Sequence, residues 1–144
     1  MLFRSTVLRS ERGAVVVDTM TFRMQGERIR EAAEELAGGP VQTVINTHYH
    51  SDHTHGNPGF APGSHVVATA RTLEHLRTFD AGSWQGESAG TLPNDTFHDL
   101  HEMSLGDKTV RSYHLGRGHT DGDLVTLLVE DRVLVMGDQL FQGR

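Results

Sequence analysis

His48-Tyr49-His50-Ser51-Asp52-His53 packs three imidazoles and a carboxylate into six consecutive positions. Thr47 precedes it, and Thr54-His55-Gly56-Asn57-Pro58-Gly59, rich in turn-forming residues, follows. Just upstream, Val41-Gln42-Thr43-Val44-Ile45 is a β-branched apolar run of the kind that forms a buried strand. The cluster therefore falls where a strand gives way to a loop, a position from which side chains of separate segments converge. In an extended segment His48 and His50, two apart, point to the same side. Asp52 and His53 lie past the bend and can serve a second centre. Neutral imidazoles with a carboxylate are a ligand set suited to zinc. The plainer reading is a histidine-rich surface loop, or a helix start capped by Ser51 or Asp52. Four ligand-type residues in six positions exceed what a cap requires.

Working outward, Phe3 to Leu8 and Ala14 to Val17 read as strands joined by a hairpin turn at Ser10-Glu11-Arg12-Gly13. The second ends in Asp18-Thr19, whose spacing fits a turn and cap residue better than a group reaching toward the histidine loop. From Arg23 to Ala37 the chain is rich in Glu, Arg and Ala, with Ile29, Ala32, Ala33 and Leu36 on one helical face, and Gly38-Gly39-Pro40 stops it. The resulting β-α-β unit delivers the histidine loop at a strand's carboxyl end, where open α/β sheets place their sites. A further strand is expected over His65 to Thr69 and a helix over Arg71 to Phe79, within which His75 reads as a surface or packing residue. Asp80 to Asn94, rich in Gly and Ser, is expected to be a long flexible loop, a lid or substrate wall. There Trp84 either anchors a substrate or pins the loop to the core. Phe97 to Met103, Thr109 to Leu115, Asp123 to Val129 and Arg132 to Met136 fit strands, the last two forming a hairpin around Glu130-Asp131. With no internal repeat, linker or low-complexity tract, residues 1–144 read as one domain.

A net charge of −6 without a basic block argues against nucleic acid or an anionic membrane as the main partner. The absence of cysteine removes any disulfide framework or thiolate ligand. The first ten residues are interrupted by Arg4 and Arg9 and contain no secretory apolar run, and no stretch is long enough to span a bilayer. A cytoplasmic location is expected. Ten histidines against two tyrosines and one tryptophan agree with a metal protein.

Two later segments extend the pattern. His119 lies in the Gly-rich Gly116-Arg117-Gly118-His119-Thr120-Asp121-Gly122-Asp123, between two strands, and Asp138 follows the apolar run Val133-Leu134-Val135-Met136. Each alone is commonplace. As strand-end residues, like the first cluster, they can be brought together at one sheet edge.

In these motifs the sequence resembles the metallo-β-lactamase-fold hydrolase superfamily. The family's H-x-H-x-D-H stands as His48, His50, Asp52 and His53, its G-x-x-H-T-x-G-D leads through His119 to Asp123, its strand-end Gly-Asp is Gly137-Asp138, and its early Asp-Thr is Asp18-Thr19. The motifs appear in family order across residues 18 to 138. The resemblance implies an α/β, four-layer αββα sandwich with two metals at its edge, zinc in the first instance, with iron or manganese also compatible. His48, His50 and His119 would hold the first metal, Asp52 and His53 the second, and Asp138 would bridge both. Asp18 would support the cluster, and Asp52 would also act catalytically by orienting the nucleophile. The implied chemistry is hydrolysis: two zinc ions lower the pKa of a shared water from ~15.7 to about 7. The implied substrate is a small molecule with an ester, thioester, lactone or similar bond. The bridging Asp and the lack of cysteine look more like the hydroxyacylglutathione-hydrolase, lactonase and general-hydrolase branches than the β-lactamases that use a cysteine ligand. β-Lactam hydrolysis is the alternative within the class, and a non-catalytic zinc-binding remnant the alternative outside it. The family's last metal ligand, a histidine beyond the bridging Asp, has no counterpart up to Arg144. The chain is therefore expected to hold the first half to two-thirds of the domain and to expose an apolar sheet face, which a homo-oligomer would be one way to cover. His55, His98 and His101 are poor substitutes for that ligand, His98 and His101 being expected on a solvated stretch.

Overall fold

The computed structural model describes residues 5–140; Phe3 and Arg4 of the first expected strand lie outside them. Two sheets carry the molecule. The first has the order β1-β2-β3-β4-β5, from Thr6–Ser10 (β1), Gly13–Val17 (β2), Val41–Ile45 (β3), Val66–Thr69 (β4) and Asp95–Phe97 (β5). β1 runs antiparallel to β2 through the expected hairpin, and the remaining neighbours are parallel. Parallel strands covered on both faces read as continuous β-branched runs, which is why Val15, Val16, Val17, Val44, Ile45, Val66 and Val67 are all buried. The second sheet is an antiparallel meander of Leu100–Ser104 (β6), Thr109–Tyr113 (β7), Val125–Leu128 (β8) and Val133–Val135 (β9).

Helix Arg23–Ala37 (α1) ends at Gly38, whose left-handed φ of 66° closes the last turn. Ala33, with Ile29 and Ala37, packs on Ala14, Val16, Val44 and Val66 of the first sheet's outer face and on Phe60, which follows the histidine loop. Between the sheets Val15, Val17, Ile45, Val67 and Phe97 meet Leu105, Val110, Leu124 and Leu128. Helix, sheet and sheet make three of the sandwich's layers. Among the described residues no helix covers the far face of the second sheet, where Leu100 and Leu134 are exposed.

Three expectations change. Phe97 to Met103 is not one strand: β5 completes the first sheet, the chain crosses at His98-Asp99, and β6 opens the second, with His114 N–H donating to Asp99 O at 2.9 Å. Residues 80–94 are ordered as two 3-10 turns, Ala81–Ser83 and Gly86–Thr91, rather than a flexible loop. Trp84 pins them: its ring is buried and its Nε1–H donates to Asp80 at 2.9 Å. His101 is likewise not solvated. It and His65 both donate to Asp95 Oδ2, at 3.0 and 2.9 Å, tying the edge of one sheet to the other, while His98 is exposed as expected.

α1 reaches the histidine loop through glycines. A Cβ on Gly26 would lie 1.9 Å from the Gly56 carbonyl oxygen, and one on Gly56 would lie 1.8 Å from that of Thr19. Backbone cannot yield as a flexible side chain does. Gly56→Ala is expected to lower unfolding free energy by about 3 kcal/mol. Gly82→Ala, where no atom lies within 4 Å, should stay within about 0.5 kcal/mol of wild type. Urea denaturation compares the two; equal midpoints would contradict the close approach.

Candidate metal centre

The site is built from the carboxyl ends of β2 and β3. At the first, Asp18 takes a left-handed φ of 62° and is buried. Its Oδ1 accepts from Thr47 N–H at 2.8 Å, and its Oδ2 from the Thr47 hydroxyl at 2.8 Å and His53 Nδ1–H at 2.7 Å. The Thr47 proton is thus committed to Asp18, so Thr47 Oγ1, 3.1 Å from His48 Nδ1, accepts from that ring. Asp18 thereby sets two tautomers, His53 directly and His48 through Thr47. Both rings carry Nδ1–H, leaving Nε2 for a ligand, the pattern in which a carboxylate orients a metal-binding histidine.

The short helix Ser51–Thr54 (α2) turns His53 back under His48. Beneath it lies a buried amide network. Asn46 Nδ2–H donates to His53 O at 3.2 Å, Asn57 Nδ2–H to Asn46 Oδ1 at 2.8 Å, and the Thr19 hydroxyl to Asn57 Oδ1 at 2.8 Å. Leu124 N–H donates to Thr47 O at 2.8 Å, fastening the second sheet to the same point.

Three imidazole nitrogens meet above this base. His50 Nδ1 lies 3.1 Å from His48 Nε2 and 3.0 Å from His119 Nε2. One ring nitrogen offers a single in-plane direction, for a proton or a lone pair, and cannot pair well with two others at once. A cation between them satisfies all three. The ligand atoms of His48, His50 and His119 lie within 4.8 Å of one another, as do those of His48, His53 and Asp138. Asp138, in the 3-10 turn Gly137–Gln139, spans the two groups: Oδ1 is 3.2 Å from His53 Nε2 and Oδ2 is 3.8 Å from His119 Nε2. Asp52 falls outside both groups, at the rim, its Oδ2 3.7 Å from His53 Nε2.

Partial burial and the neighbouring His119 hold the pKa of His50 below its ordinary value, which favours the neutral, metal-binding form. Burial opposes a charge on His53, but the hydrogen bond and charge of Asp18, with Asp138 and Asp52 beyond, prevail and raise its pKa. Burial pushes the Asp18 carboxyl up against the pull of His53 and Thr47.

His48, His50, His53, His119 and Asp138 thus lie together in groups able to hold a metal, while Asp52, expected as a ligand of the second, lies at their rim. His55 does not join them; its Nε2–H donates to Asp80 at 2.7 Å. The roles of Thr47, Asn46 and Asn57 escaped the sequence reading, since a polar residue closing a strand, or an Asn opening a turn, is too common to carry a signal.

Fold and site together define an α/β protein able to hold metal between a histidine loop and a second sheet. The chain belongs to the metallo-β-lactamase superfamily, whose family model matches residues 4–144. It is 26% identical, over 99% of its length, to 2,4-dinitroanisole O-demethylase subunit alpha of a Nocardioides species, covering 42% of that protein. It is 30% identical, over 76% of its length, to hydroxyacylglutathione hydrolase of Methylococcus capsulatus, covering 38%. The chain thus spans less than half the length of these curated relatives. Among solved structures, the metallo-beta-lactamase from Pontibacter korlensis superposes with a TM-score of 0.74 at 24% identity, over 89% of this chain and 56% of that one, which shows the shared fold. Among the described residues no helix is long and apolar enough to cross a membrane.

Proposed function

We propose that this chain carries the metal centre of a dinuclear zinc hydrolase that cleaves an ester, thioester or lactone bond in a small molecule. The observation that supports this most directly is the paired orientation of His48 and His53, whose Nδ1 protons are held by Thr47 and Asp18 while both Nε2 atoms join the centre. His48, His50 and His119 hold the first ion. Because His48 can serve only one ion, His53 and Asp138, with Asp52 beside them, hold the second more weakly. Bound divalent ions supply Lewis acidity and a water ionised near neutral pH. Asp52, its side chain 40% exposed beside His53, orients that nucleophile and takes up its proton. The acidic balance of the chain, −6, fits a small-molecule substrate better than nucleic acid or a membrane surface.

The relative matched over 99% of the chain is named for 2,4-dinitroanisole, so that aryl ether is the second substrate class to examine. The test is a panel of an acylglutathione thioester, a lactone, 2,4-dinitroanisole and nitrocefin, each with zinc-loaded protein. The thioester or lactone should turn over, chelator should abolish the reaction, and Asp52→Ala should slow it by about 100-fold or more. Nitrocefin turnover alone would make the protein a β-lactamase. No turnover of any substrate would leave a metal-binding module without hydrolysis, and turnover unchanged in Asp52→Ala would remove Asp52 from the reaction.

A further inference from the structure

The helix Ala70–Thr78 (α3) carries His75, a histidine outside the metal centre whose side chain is only 9% exposed. Its Nε2–H donates to the carboxylate of Asp121, two residues beyond His119. The other oxygen of that carboxylate accepts from Arg71 Nε at 2.8 Å, and Arg71 also donates to Glu74 at 2.6 Å, so both α3 side chains that grip Asp121 start one turn apart. On its other side the His75 ring lies 4.8 Å from the ring of Tyr49, which in turn lies 4.6 Å from that of His50. Phe79 stacks on His75 at 4.9 Å and 18°. His75 therefore touches both segments that form the first histidine trio, although His50 and His119 are 69 residues apart.

We infer that His75, with Asp121 and Arg71, is a positioning device that holds His119 at the distance from His48 and His50 that a metal ion needs. The loop has reason to require one. His119 stands between Gly118 and Thr120 in a segment that also contains Gly116 and Gly122, and its side chain is 32% exposed. Few apolar contacts restrain such a segment. The Thr69 and Thr72 hydroxyls hold the far end by donating to Gly122 O at 2.7 and 2.9 Å, and Thr120 N–H and Oγ1–H donate to Asp123. Those bonds fix the loop's backbone. The Asp121–His75 bond adds a link from this loop to the α3 side chain whose ring also lies against Tyr49. Carboxylates commonly orient a histidine that itself binds metal. Here the carboxylate beside a candidate ligand takes a different histidine, which makes His75 part of the frame of the site without placing it at the ion.

This inference rests on the proposal that His48, His50 and His119 hold a metal. The test measures Zn2+ affinity by competition with a chromophoric chelator, records the absorption spectrum of the Co2+-loaded protein, and follows melting of the metal-free protein, for wild type, His75→Ala, His75→Gln and Asp121→Ala. Loss of such a supporting partner costs about 10- to 100-fold in metal affinity. His75→Ala and Asp121→Ala should each weaken the tighter ion by that factor, leave the weaker ion unchanged, and alter the Co2+ spectrum. His75→Gln, which can still donate to Asp121, should recover most of the affinity. Asp121 is 31% exposed, so Asp121→Ala should fold, and its metal-free melting temperature should stay near wild type. Wild-type affinity and spectrum in both alanine variants would overturn the inference. So would equal weakening of both ions together with a lower metal-free melting temperature, since that is general loosening. A wild-type protein that binds no metal would overturn the functional proposal itself, and this inference with it.

Discussion

Asp18→Ala should lower the unfolding free energy of the metal-free protein by about 3–5 kcal/mol, the scale of breaking a buried charged pair. The substitution leaves three donors without an acceptor in a dry corner: Thr47 N–H, the Thr47 hydroxyl and His53 Nδ1–H. Each buried group so orphaned costs about 1–3 kcal/mol. Alanine must also adopt the left-handed φ of 62° that aspartate tolerates, at a further cost of about 1 kcal/mol. Asp18→Asn separates these effects. Asparagine accepts the backbone angle and keeps one acceptor oxygen, but its NH2 group would face a donor, so its loss should fall between wild type and alanine. The measurement is urea denaturation with chelator present. A loss of less than about 1 kcal/mol for alanine would mean that Asp18 does not organise this corner. For a domain with a total stability of about 5–15 kcal/mol, the expected loss is a large fraction of the whole.

His48→Ala should have the largest effect on metal binding, because His48 alone belongs to both histidine groups. Removing a ligand should weaken the first ion by well over the ~100-fold expected for a supporting residue. The second ion, held more weakly by His53 and Asp138, is removed by dialysis in any case, so retained metal should fall close to zero. His119→Ala is the informative contrast. It belongs to one group only and its side chain is 32% exposed, against 1% for His48. It should lose the first ion while keeping metal-free stability, whereas His48→Ala should also destabilise the metal-free protein by opening a buried space. Elemental analysis of dialysed protein, paired with denaturation, distinguishes them. Equal retention of metal in His48→Ala and wild type would place the ion elsewhere.

How far the sequence reveals this structure depends on the range over which each feature is determined. The bounds of α1 and β3 are legible because helical spacing of apolar residues, the Gly38 stop and a β-branched run are local signals. The division of Phe97 to Met103 is not, because alternation along a strand carries no information about which sheet it joins. Residues 80–94 look flexible by composition, yet Asp80 gathers donors from His55, Ser83 and Trp84 and orders the segment. The six site residues are legible because five of them lie within two short motifs and the sixth closes a strand. The roles of Thr47 and His75 are not, since each depends on a partner 29 or 46 residues away. Asp18 shows both halves of the problem. Its spacing fits a turn and cap residue, but its left-handed backbone aims the carboxylate at Thr47 and His53 of the histidine loop.

The most direct test is the number of zinc ions per chain in protein reconstituted with zinc and exhaustively dialysed. The expected result is one tightly held ion, absent from His48→Ala, with a second that appears at higher free zinc and is lost first on dialysis. A chain that retains no zinc under any of these conditions would contradict the claim that His48, His50 and His119 form a metal centre.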